Sequence, residues 1–115
     1  IFWVHREHYR CVHVAELPNV LLKGRIYLIG DNRPWYVALR CPCGCNAVIQ
    51  LSLLPTDSPS WEISFDVAGR PTLTPSVWRI RGCRSHFFLQ HGFVVWYRPD
   101  GKLQRESSYP NVPVK

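Results

Sequence analysis

Methionine is missing altogether from these 115 residues, and acidic side chains are scarce: eight Asp and Glu stand against fourteen Lys and Arg, a net charge of +6. With no initiator methionine, Ile1 is the start expected of a processed or trimmed chain. No apolar run approaches the roughly 18 residues of a membrane-spanning helix, so no such span is expected. The opening "IFWV" is too short, and "HREHYR" too charged, for the core of a secretory signal. The cytoplasm is therefore the expected compartment, and there thiols stay reduced. Charged residues are also few, at 19%, whereas hydrophobic ones reach 46% and aromatics 13%, which excludes a disordered chain.

What is present is punctuation. The ten prolines and seven glycines fall almost entirely in short breaks such as "GDNRP", "PTDSPS", "AGRP", "TPS" and "PDGK". Between the breaks lie β-type runs at 10–14, 25–29, 35–39, 47–53, 61–67, 77–80, 86–89 and 93–97. Alternation is clearest in "WEISFDV", where Trp61, Ile63, Phe65 and Val67 share one face. Only "AELPNVLLKG" has room for a helical turn, and its proline argues against a full helix. The expected fold is mainly β, a small barrel or two-sheet sandwich. Residues 1–98 form the single domain, and 99–115 read as a polar, proline-containing C-terminal extension.

The cysteines carry the strongest chemical signal. Cys41, Cys43 and Cys45 alternate in "CPCGC", and Cys83 and His86 stand three apart in "GCRSHF". Pro42 and Gly44 disfavour a regular strand and favour a turn, and Gly82 suits a tight knuckle before Cys83. Zinc needs four donors, usually brought together as two pairs from turns. Two of Cys41, Cys43 and Cys45, joined by Cys83 and His86, therefore predict a Cys3His zinc site that staples two loops as a double knuckle. Disulfides are disfavoured by the i, i+2 spacing and the compartment. Buried thiols without a task fit Cys11, alone in a strand, better than three cysteines in five residues. The layout also resembles the paired loops of Rieske proteins, whose iron–sulfur cluster takes a C-x-H and a C-x-x-H pair, although the first pair here has no histidine. Zinc is the expected metal and an iron–sulfur cluster the alternative.

Four arginines, Arg40, Arg79, Arg81 and Arg84, lie close in sequence to the proposed ligands. Converging loops predict a positive patch there, placed to dock an acidic protein surface or, with Trp78, Phe88 and Trp96, single-stranded nucleic acid. It can also partly neutralise a thiolate-rich metal site. His5, His8 and His13 read as surface residues. Ser76 and Ser85 are candidate nucleophiles by type, but no Gly-x-Ser-x-Gly elbow or ordered triad accompanies them. Ser76 reads instead as a turn cap after Pro75, and Ser85 as a hydrogen-bond donor to a metal-bound sulfur.

Taken in order, "LLKGRIY", "CPCGC", "WEISFDVAGRPTLTPSVW" and "CRSHF" resemble an uncharacterised bacterial domain family with an L-x-x-G-x-[LI]-Y, C-x-C-G-C, L-x-P-S-[IV] and C-[RQ]-S-H-[FY] signature. The resemblance runs from Glu16 to Tyr97, and the sequence departs from it at Asn46, where the family pattern has glycine. Many members are encoded beside bacterial ubiquitin-like proteins and their E1-like and E2-like enzymes. The resemblance thus implies an accessory factor of such a conjugation pathway, including one used in phage defence, with a protein partner: the ubiquitin-like protein or one of those enzymes. Together with a closed, thiolate-rich site, it leads to the expectation of a non-catalytic zinc-binding adaptor. The alternatives are a Rieske-like redox protein and a basic nucleic-acid-binding module.

Overall fold

The computed structural model describes residues 8–97 and 103–105, and among them there is no helix. The strands are β1 (Arg10–Val14), β2 (Arg25–Gly30), β3 (Pro34–Arg40), β4 (Val48–Ser52), β5 (Glu62–Phe65), β6 (Pro71–Trp78), β7 (His86–Gln90), β8 (Phe93–Tyr97) and β9 (Leu103–Arg105). They form two sheets, β1-β2-β3-β4 and β5-β6-β7-β8-β9. The second sheet is an antiparallel meander; in the first, β1 runs parallel to β2. β9 lies within 99–115, the segment expected to extend beyond the domain, and it pairs with β8.

A parallel pair cannot be joined by a tight hairpin, so the chain between β1 and β2 must cross over. The stretch considered for a helical turn does this in irregular form. Leu21 is buried and Leu17 partly so, in a cluster with Tyr27, Ile29 and Ala38 on the outer face of the first sheet. The main core lies between the sheets. Ile26, Leu28, Val37, Leu39 and Leu51 meet Leu73, Val77, Phe87, Leu89, Val94 and Trp96. Each such side chain contributes roughly 1.5–3 kcal/mol on burial, and the Phe87 and Trp96 rings meet edge to face with centroids 5.7 Å apart. The two-sheet reading is the observed architecture.

Two elements differ from the sequence reading. The alternation over 61–67 stops early: β5 is an edge strand ending at Phe65, and Asp66 Oδ1 then accepts the N–H groups of Ala68 and Arg70, both at 2.9 Å. This turn leaves Phe65 and Val67 in solvent instead of in the core. β6, conversely, runs through two prolines. Pro71 occupies its first position, where a missing N–H is tolerated. Pro75 falls where the register with β7 shifts between Leu73 and Val77, so the ladder loses nothing by its lack of a donor. Ser76 shares that irregular stretch, and its carbonyl accepts the Trp61 indole N–H at 3.2 Å.

Candidate active site and cysteine centre

Two loops bring four sulfurs together. In the first, Gly44 N–H donates to the Cys41 carbonyl at 3.2 Å, closing a turn over Pro42 and Cys43, and Cys41 N–H donates to the Ala47 carbonyl at 2.8 Å. The turn after Cys45 needs a left-handed residue, and Asn46 supplies it at φ 67°. Asparagine is one of the few side chains that tolerate this conformation, so the departure from glycine preserves the turn. The second loop joins β6 to β7. It is closed by Arg79 N–H to the Ser85 carbonyl at 2.7 Å, with Gly82 at φ 67° and Arg84 at φ 57°.

The Sγ atoms of Cys41, Cys43, Cys45 and Cys83 all lie within 4.8 Å of one another. Cys41 is 3.5 Å from Cys43 and 3.6 Å from Cys83. A tetrahedral ion with bonds of about 2.3 Å to sulfur separates its ligands by roughly 3.8 Å, so this all-sulfur group fits a metal ion. Its protons are unevenly held. Burial pushes the Cys41 thiol up to about 12 and raises that of Cys43. Burial also works on Cys83, but hydrogen bonds from the Ser85 hydroxyl and N–H and from neighbouring thiols outweigh it and bring this group down to about 6. Ser85, 2% exposed, has its Oγ 3.1 Å from Cys83 Sγ, the sulfur contact expected of it. Arg79 Nη1 donates to Cys83 Sγ at 3.3 Å and to Cys45 Sγ at 3.5 Å. Arg40 is turned to a different task. Its Nε donates to the Leu21 carbonyl at 2.6 Å and its Nη1 to the Asn46 carbonyl at 3.2 Å, bracing the crossover and the cysteine loop. Arg81 and Arg84 are exposed on the second loop.

His86 does not join the sulfurs. It opens β7 opposite Trp78 of β6, on the outer face of the second sheet, whereas Cys83 belongs to the loop before it. Its Nε2 lies 2.9 Å from Ser76 Oγ. The expected Cys3His set thus becomes a group of four cysteines, and among the described residues no imidazole accompanies them to make the two-histidine iron site of a Rieske protein. Burial lowers the pKa of His86, so the ring is neutral near pH 7 and can accept a proton. The imidazole is flanked by Trp78, stacked at 4.8 Å with 6° between planes, and by Tyr97, with its centroid 3.9 Å away.

Residues 13–97 match the family described as bacterial ubiquitination-like system serine protease (BubE). The chain belongs to the BubE family. The match takes in Ser76, His86 and the four clustered cysteines, and leaves out Cys11. No curated protein and no solved structure matches the chain. The BubE description corrects the expectation of a non-catalytic adaptor, because a serine protease needs an activated hydroxyl. That expectation rested on the resemblance and on a closed, thiolate-rich site, while the missing elbow and triad motifs left Ser76 as a turn cap; a Ser–His pair across two strands leaves no local motif. Ser76 lies just before the run expected at 77–80, and no local pattern in the sequence pairs it with His86. As a BubE-family member, the chain is tied to a bacterial ubiquitination-like system, as the resemblance implied.

The other serine of the motif is poorly placed for attack, since Ser85 is buried against sulfur. A second histidine pair, His91 Nδ1 with Asp66 Oδ2 at 3.0 Å, links the β5–β6 and β7–β8 turns, and no serine is hydrogen-bonded to it among the described residues. Nor is there, among those residues, a helix long and apolar enough to cross a membrane.

Proposed function

We propose that the chain is a serine peptidase acting on ubiquitin-like proteins or their conjugates, with Ser76 as nucleophile and His86 as its base. The observation that carries this reading is the 2.9 Å contact between Ser76 Oγ and His86 Nε2, in a chain whose family is described as serine proteases. With the neutral ring protonated on Nδ1, Nε2 takes the hydroxyl proton as Oγ bonds to the carbonyl carbon. Collapse of the tetrahedral intermediate breaks the bond to the leaving amine, which takes the proton back from His86 Nε2. Water, deprotonated in turn by His86, then hydrolyses the acyl-Ser76 ester and regenerates the hydroxyl. Burial serves this sequence by keeping His86 neutral at the start.

In the same reading, Cys41, Cys43, Cys45 and Cys83 hold a zinc ion. Zinc supplies cross-linking here and no chemistry at the reacting bond. The four cysteines come from the β3–β4 and β6–β7 loops, which the ion would tie together, and the latter loop ends directly on His86. The test is cleavage of the cognate ubiquitin-like protein fused through its C terminus to a reporter. Ser76→Ala and His86→Ala each reduce the rate by at least about a thousandfold. Wild-type cleavage by Ser76→Ala would overturn the assignment.

A further inference from the structure

Sheet order places three aromatic rings in one row on the outer face of the second sheet. Trp78 of β6 is directly opposite His86 of β7, and the register that pairs Phe87 with Trp96 makes Tyr97 of β8 the next neighbour. The imidazole therefore has one ring on each side: Trp78 at 4.8 Å, parallel within 6°, and Tyr97 at 3.9 Å, tilted by 34°. Phe88 supports Tyr97 in turn, with centroids 5.2 Å apart. Among the described residues, no carboxylate hydrogen-bonds to His86; its hydrogen bond is to Ser76. Trp78 is 64% exposed, so burial does not account for its position.

We propose that Trp78 and Tyr97 are positioning residues that hold the His86 ring between them, in the role a carboxylate plays in a three-residue relay. The inference rests on the assignment of Ser76 and His86 above. Two physical effects support it. Rotation of the imidazole about its Cβ–Cγ bond breaks the parallel stack on Trp78, so the stack keeps Nε2 aimed at Ser76. As Ser76 loses its proton the ring becomes a cation, and aromatic faces attract a cation through their quadrupoles. The clamp thus favours the ring in its charged state as well as in its working orientation. Where a buried aspartate does both with one charge, this sheet does both with two π-faces.

The test uses the whole chain and a fluorophosphonate probe of serine nucleophiles. Ser76 Oγ displaces fluoride from phosphorus, and its proton passes to His86. Trp78→Ala and Tyr97→Ala are expected to slow the maximal modification rate roughly three- to tenfold, between the scales of an exposed and a desolvated cation–π contact, with little change in the probe concentration at half-saturation. Trp78→Phe and Tyr97→Phe recover most of the rate. A merely structural loss is recovered by leucine at either position as well as by phenylalanine. Should either alanine variant fail to fold, Trp78→Leu or Tyr97→Leu keeps the apolar volume without the π-face and is read in its stead. Wild-type rates in the folded alanine or leucine variants overturn the clamp. Labelling that persists in Ser76→Ala overturns instead the assignment on which the clamp rests.

Discussion

Cys83 and His86, three residues apart, serve different centres: Cys83 Sγ faces Cys41 at 3.6 Å, while His86 Nε2 faces Ser76 at 2.9 Å. The loop between β6 and β7 therefore carries Cys83 to the sulfur group on one side and His86 to Ser76 on the other. Substitutions separate the two.

Metal content and activity are expected to respond to different residues. Cys41→Ser, Cys43→Ser, Cys45→Ser and Cys83→Ser each lose stoichiometric zinc, measured by elemental analysis, and lower the melting temperature by about 10 °C or more. His86→Ala keeps one zinc per chain and is inactive. Zinc loss in His86→Ala would return the histidine to the metal.

Cleavage is expected to fall as pH drops through the pKa of His86. Because burial lowers that pKa in the folded chain, the acid limb lies below the ordinary 6.5. Rate profiles between pH 4.5 and 8 (about the range in which imidazole titrates) locate it. A midpoint above 6.5 would contradict a base made neutral by desolvation.

Stripped of metal under reducing conditions, the fold is expected to depend on pH through two thiols. Cys83 falls from 9.0 to about 6, so its contribution is full above 9.0 and is lost as pH falls towards about 6. Cys41 rises from 9.0 to about 12, so its contribution is full below 9.0 and is lost as pH climbs towards about 12. The unfolded chain binds the extra proton in the first window and releases it early in the second. Thermal melts in chelator should show stability rising between about pH 6 and 9 and falling beyond. A flat profile would remove the ionised Cys83.

Asn46 offers a test of the cysteine loop itself. At φ 67° an alanine costs about 1 kcal/mol, whereas glycine is tolerated freely. Denaturant titration of Asn46→Ala and Asn46→Gly should separate the two by that amount, and equal stabilities would place Asn46 in another conformation.

Much of the fold is legible in the sequence because turn residues and alternation are local. The runs at 10–14 and 93–97 are β1 and β8 as they stand. β6 was hidden because Pro71 and Pro75 normally end strands, and here an end position and a register shift absorb them. Trp61 to Val67 misled in the opposite direction: alternation states which residues share a face, but it does not state where a carboxylate such as Asp66 turns the chain. The cysteine group was visible as spacing, since sulfurs two apart in a Pro/Gly turn have few other uses. Ser76 and His86 were each visible, but not as a pair. Their contact depends on the register of β6 against β7, which no local pattern encodes.

Cys41 belongs at once to the sulfur group and to the main core, packed among the buried residues that include Tyr9 and Leu39, while Cys45 is exposed. A metal held by these four sulfurs would therefore exchange asymmetrically. A competing chelator meets Cys45 first and can displace it at the surface without disturbing the sheets. Freeing Cys41 requires the end of β3 to open, an event governed by local unfolding and not by ligand chemistry. Release of the ion should thus be biphasic in time, with a fast step set by chelator concentration and a slow one set by the breathing of the core.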